Sequence, residues 1–274
     1  MCLLLVGALA DNSSDPVVAE QIIWALARLC RREKDRYFTC SAANIVRLGD
    51  AGACEQTVLA LRRHYKHAGI CLASFKAISN MAVVAQANKT KLRRSGVCEA
   101  VVNALIEHLD DENVTDQGCW VITYLGCDHP ENKTRLGRSK ACEAVVSALC
   151  NYPESDVICA RACGAIAFLA KDHPENRDKF IRLGAFEQVV KALHKHKDNK
   201  GVVQVSCHAL LHLYYVMQPE RLRELRSEGA LDDRGWVADK PYDAVIRVWQ
   251  PDKVLREVKW KLGGGGLCGL FYCF

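Results

Sequence analysis

The 274-residue sequence lacks the marks of a membrane-spanning, secreted or catalytic chain. No apolar run approaches the roughly 20 residues that a bilayer span requires. Met1–Leu9 is apolar, yet no basic stretch precedes it, so it does not read as a secretory leader. Charge of one sign is not in excess: 37 Lys and Arg stand against 32 Asp and Glu, a net +5. A phosphate-binding surface needs clustered Lys and Arg, and only two short clusters occur. The run from Arg31 and Arg32 to Arg36 is interrupted by acids, whereas Lys89, Lys91, Arg93 and Arg94 are not. Both read as solvated faces, so no nucleic-acid partner is expected. Gly263–Gly266 has no Lys-Ser/Thr after it and cannot serve as a phosphate-cradling loop. No nucleophile elbow or paired acid–base set departs from the rest of the pattern, so neither an enzyme nor a cofactor is expected.

Cysteine, by contrast, is plentiful, with 15 residues, many of them in apolar helical stretches. Secreted disulfide frameworks are usually short and loop-rich, and this chain is half apolar and long enough to bury a core. A reducing compartment, the cytoplasm or the nucleus, fits better.

The dominant signal is internal repetition. Cys54-Glu55, Cys98-Glu99 and Cys142-Glu143 lie 44 residues apart, and Phe186-Glu187 continues the series. Each pair opens an amphipathic segment with apolar residues at helical spacing, as in Glu99–Leu105, Glu143–Leu149 and Glu187–Leu193. Upstream and in phase stand Asn44, Asn88, Asn132 and Asn176, each followed four residues later by Leu48, Leu92, Leu136 or Phe180. Gly52, Gly96 and Gly184 then mark a sharp corner between helices. Lys140 breaks that series, and Gly137 is the alternative corner. Downstream, Phe75, Cys119, Cys163 and Cys207 recur at the same interval, preceded by Ile70, Val114, Ile158 and Val202. The unit is therefore a short helix, a corner and two longer antiparallel helices. No single unit can bury its own apolar stripe, so stability arises from stacking.

These motifs resemble the armadillo family. Asn132-Lys133-Thr134 and Asn176-Arg177, with Asp-His-Pro-Glu before each, look like its first helix. Gly184–Val190 looks like the start of its second, and Glu20–Leu26 like its third. HEAT repeats are the near alternative, but they lack the short first helix and its glycine corner. The resemblance implies an all-α, right-handed superhelical armadillo-repeat solenoid of three-helix units over residues 1–231. A partial first repeat occupies 1–30, followed by repeats at about 44–87, 88–131, 132–175 and 176–218 and a degenerate last one from 219. Eight extra residues between the first two repeats fall within Arg31–Ser41 and read as a loop. Met1–Leu9 aligns with Val97–Leu105, so the array is expected to be a fragment of a longer one. Residues 232–262 read as a degenerate C-terminal helical cap and 263–274 as a flexible Gly-rich tail.

In importin-α and β-catenin type solenoids, to which the chain is distantly similar, the third helices line a concave groove that holds extended peptides. A Trp, an Asn four residues on and a preceding Gln form its ladders in the importin-α type. Here the Gln position holds Gln21 and Gln117, the Trp position Trp24, Lys76, Trp120, Gly164 and His208, and the Asn position Arg28, Asn80, Tyr124, Phe168 and His212. No repeat carries Trp and Asn together, and Arg28 and Lys76 would repel a basic peptide. The resemblance thus implies a scaffold or adaptor that holds a protein or peptide segment in the groove. Two alternatives stand beside it, an importin-α-like nuclear transport receptor and the regulatory repeat region of a larger protein such as a kinase. His208 and His212 share a helix face at metal-ligand spacing, but no carboxylate follows in the His-Glu-x-x-His sense, so no metal is expected.

Overall fold

The computed structural model describes residues 2–30, 40–127 and 129–214, which fall in one compact unit, Met1–Tyr215. The expected degenerate repeat from 219, the cap at 232–262 and the tail at 263–274 lie outside those residues, as does most of the inserted loop. Cys40 and Ser41, expected within that loop, are already helical.

The described residues form fourteen α-helices in a three-beat order. Short first helices are α3 (Cys40–Asp50), α6 (Gln86–Arg94), α9 (Pro130–Arg138) and α12 (Pro174–Arg182). Second helices are α1 (Cys2–Asp11), α4 (Ala53–Arg63), α7 (Val97–Glu107), α10 (Ala141–Asn151) and α13 (Ala185–Lys195). Third helices are α2 (Pro16–Leu29), α5 (Ala68–Val84), α8 (Glu112–Gly126), α11 (Asp156–Ala170) and α14 (Lys200–Tyr214). The expected 44-residue beat is the beat of the structure.

Local chemistry sets each boundary. The third helices α2, α8 and α11 begin at Asp15, Asp111 and Ser155, whose side-chain oxygens accept from backbone N–H groups of the first turn. Asn199 does the same for α14, bonding Gly201 and Val202. First helices α9 and α12 start with Pro at the first position, preceded by His129 and His173, whose rings accept from Asn132 and Asn176. Every corner between a described first helix and its second is a residue in the left-handed region: Gly52, Gly96, Lys140 and Gly184, with φ of 90°, 79°, 71° and 70°. The corner expected at Gly137 is thus at Lys140. The chain turns a corner there, and a non-glycine residue takes up the strained conformation.

Gly137 has a different task. It lies inside α9, where an added Cβ would sit 1.8 Å from Asn176 Oδ1, and Gly49 stands in the same relation to Asn88 at 1.9 Å. That close approach lets the buried Asn88 amide donate to both Ile45 O and Met81 O. Asn176 likewise donates to Lys133 O and Leu169 O. The intervening repeat has Arg93 at the glycine position, and Asn132 donates only to Leu125 O. Asn88, Asn132 and Asn176 therefore form a row of side-chain ties between one repeat's first helix and the previous repeat.

Other polar ties run in phase. Lys89 Nζ reaches Cys127 O at 3.1 Å and Lys133 Nζ reaches Lys171 O at 2.6 Å, each at the end of a third helix. Lys91, Arg135 and Lys179 donate backwards to Gly49 O, Arg93 O and Gly137 O. Between these ties lies a continuous apolar core that includes Ile70, Phe75, Cys98, Leu105, Val114, Cys142, Ile158 and Phe180. The core cysteines pack as small hydrophobes. Third helices touch one another along the row α2–α5–α8–α11–α14 far more extensively than second helices do. In a curved stack the more crowded layer is the inner one, so the third helices line the concave side of a right-handed solenoid.

Candidate functional site

Positions three or four residues apart share one face of a helix, so Gln21, Trp24 and Arg28 project together from α2. The same three positions recur on α5, α8, α11 and α14. Gln21, Arg28 and Lys76 are exposed, and Trp24, Asn80, Gln117, Trp120, Tyr124 and His212 are half-buried. Phe168 and His208 are only 5% and 8% exposed. Both were expected among the groove residues, and little of either ring is accessible. Every residue from Ala162 to Ala170 on α11 is buried, so Phe168 contributes to packing. Helical phase places a ring on a face; the neighbouring elements decide how much of it stays open.

The middle of the face carries a chain of polar contacts across three repeats. Lys76 Nζ donates to Gln117 Oε1 at 3.4 Å, and Gln117 Nε2 donates to Asp116 Oδ2 at 2.5 Å. Asp116 also accepts from Arg161 Nε at 3.1 Å. The Arg161 guanidinium then lies over the Trp120 ring, 3.6 Å from its centroid, a close cation–π contact. Trp120 meets Tyr124 edge-on at 4.7 Å. Asp116 and Arg161 were not recognised as site residues from sequence. The available signal was positional, because Arg161 stands 44 residues after Gln117, at the glutamine position of its repeat.

Asn80 does not present a free amide. Its Nδ2 donates to Ala27 O at 3.0 Å, tying α5 to α2. Near the start of the groove, Leu5, Gln21, Trp24, Ala25, Arg28 and Leu29 line an open hollow of about 680 Å³, part apolar and part cationic. At the far end, burial holds the His212 ring down to about 4, with His208 adding to the effect, and burial also lowers His208. Both are neutral at neutral pH. Among the described residues, no group of three or more His, Cys, Asp or Glu is arranged to hold a metal, and no helix is long and apolar enough to cross a membrane. The described cysteines are free thiols. Burial pushes Cys30, Cys54, Cys71, Cys98, Cys142 and Cys163 up to about 12, which removes them from nucleophilic chemistry at neutral pH.

Fold and face together define an armadillo-type repeat protein. A sequence profile described as "LRRK2 ARM repeat" matches residues 68–225, more than half of the chain, and the chain belongs to that family. No curated protein sequence matches it. Among solved structures it is similar to the designed armadillo repeat protein YIII(Dq)4CqI, at 22% identity and a TM-score of 0.67, over 84% of this chain and 89% of that one. A computationally designed armadillo repeat protein for modular peptide recognition gives 22% and 0.68, over 84% and 89%. The designed protein YIII(Dq.V1)4CPAF, in complex with the peptide (KR)4, gives 23% and 0.65, over 84% and 88%. At these identities the likeness concerns the fold alone.

Proposed function

We propose that this array is a protein-interaction scaffold or adaptor, not an enzyme, and that it holds an extended protein segment along the third-helix groove. The observation that carries this reading is the groove face itself, an open row of polar and aromatic side chains on the third helices. Gln21, Trp24, Arg28, Lys76, Gln117, Trp120 and Tyr124 stay at least partly open there while the faces above and below pack into the core. A structurally similar designed protein binds a peptide, (KR)4, which supports peptide capture as a use of such a face. An importin-α-like transport role is the weaker reading. Arg28 and Lys76 stand where that ladder needs neutral or aromatic residues, and Asn80 is already bonded within the chain.

The family match favours a specific setting. The profile is named for a repeat region of another protein, which supports reading this array as the regulatory repeat region of a larger protein such as a kinase. The plentiful thiols support a cytoplasmic or nuclear site of action. Affinity capture with the wild-type chain and a Trp120→Ala/Tyr124→Ala variant tests the groove. Partners recovered by the wild type should be lost from the variant while its thermal unfolding stays cooperative. Equal recovery by both chains would remove the groove from consideration.

A further inference from the structure

Among the described residues, three cations occupy the Gln, Trp and Asn positions of the third helices: Arg28 on α2, Lys76 on α5 and Arg161 on α11. Arg28 and Lys76 are exposed, and Lys76 has only a long contact with the Gln117 amide. Two carboxylates lie beside this face, Glu20 and Asp116, each just before a groove glutamine. Both are turned away from the open groove, and Asp116 is paired within the chain. Glu20 is turned towards the first turn of α5, beside Gly69 and 3.7 Å from His67 Nδ1, a nitrogen that itself accepts from Ile70 N, and Asp116 accepts from Arg161 and Gln117. His208 and His212, at the far end, are neutral. Among the described residues, three cations stand against two carboxylates on this face, and the exposed cations are Arg28 and Lys76.

Arg161 adds a second, independent constraint. Its guanidinium already lies on the Trp120 face, the place where the stem or head of a partner's Lys or Arg would stack. An incoming cation must displace both that stacking and the ion pair with Asp116, and it meets like charge on approach. An incoming carboxylate meets neither obstacle, and an arginine fork offers it two parallel N–H donors.

We infer that the segment held by this groove is acidic, with carboxylates against Arg28 and Lys76, and that Arg161 closes the Trp120 face to basic side chains. The inference rests on the groove reading above. The test is fluorescence anisotropy of the full chain with labelled peptides of about 12 residues, some 40 Å when extended. One peptide alternates Glu with Ala, one Lys with Ala and one Gln with Ala. The Glu peptide should bind at least about tenfold more tightly than the Gln peptide and weaken as salt rises. The Lys peptide should bind most weakly. Arg28→Glu/Lys76→Glu should abolish the preference, and Arg28→Gln/Lys76→Gln asks the same question if the reversed chain does not fold. Arg161→Gln should raise binding of the Lys peptide several-fold, which loss of stability alone would not do.

A Lys peptide that binds best, and is lost on Trp120→Ala/Tyr124→Ala, would leave the groove standing and overturn its acidic preference. Glu-peptide binding that survives both charge variants would place the carboxylates elsewhere and overturn the inference. So would the absence of binding by any of the three peptides, or tighter binding of a single-stranded oligothymidine than of the Glu peptide.

Discussion

Lys140 offers a clean measurement of backbone strain, because nature has placed glycine at the three equivalent corners. Lys140 has φ 71° and ψ 26°, and Gly96 has φ 79° and ψ 35°, so the two corners differ mainly in side chain. A left-handed conformation costs an L-residue about 1–2 kcal/mol. Glycine avoids that cost but loses more backbone freedom on folding, by roughly 0.5–1 kcal/mol. Lys140→Gly should therefore stabilise the chain by about 0.5–1 kcal/mol, and Gly96→Ala should destabilise it by a similar amount. Space does not complicate the second change. A Cβ at Gly96 would meet Glu99 Oε2 at 3.7 Å and Arg62 Nη1 at 3.9 Å, ordinary contact distances. Urea unfolding followed by circular dichroism reads both variants, and the midpoint should move up for the first and down for the second. With a slope set by exposed area, equal slopes would show that stability had changed without a change in the surface exposed on unfolding. A Lys140→Gly chain that is less stable than wild type would refute the strain argument and show that the Lys140 side chain makes a contact outweighing it.

The asparagine ties give a graded expectation. Asn176→Ala removes two buried bonds and Asn132→Ala one, so the first should cost about 2 kcal/mol and the second roughly half that in the same urea titration. For His212, the folded ring titrates near 4 against 6.5 when exposed. The unfolded chain thus takes up the proton first as the pH falls. Stability is full above the unfolded value, declines below it and reaches its floor near the folded value. Between about pH 7.5 and about pH 5 the loss from this ring is on the order of 2 kcal/mol, and His212→Gln should flatten the profile in thermal melts over that range. Among the described thiols, exposed Cys150 should react with iodoacetamide at pH 8 well before Cys98 or Cys142, whose buried thiols sit near 12. Peptide mapping by mass spectrometry checks the order, and equal rates would mean that the second helices open readily.

The repeat was legible without any structure because stacking forces it. A unit that buries its apolar stripe only against a copy of itself must place the same residue kinds at the same phase. The series Cys54, Cys98, Cys142 and the row Asn88, Asn132, Asn176 therefore appear in the chain as a fixed interval. Helix order and the three glycine corners follow from that interval, whereas the groove face was implied by the family resemblance. What the asparagines do could have been suspected from their regularity. Their partners could not, because Lys133 O and Leu169 O come together only once the first helix lies across the previous repeat.

Tertiary structure alone decided three further matters. The corner fell at Lys140, since the geometry of the turn is imposed by the packing of both helices and a lysine accepts the strain. Phe168 and His208 lost most of their surface although helical phase puts them on the groove face. Arg161 came to rest on Trp120 because third helices of adjacent repeats stand close enough for side chains one repeat apart to stack. Periodicity carries direction along one helix, whereas the distance between helices, and hence which charges meet, exists only when the stack is built.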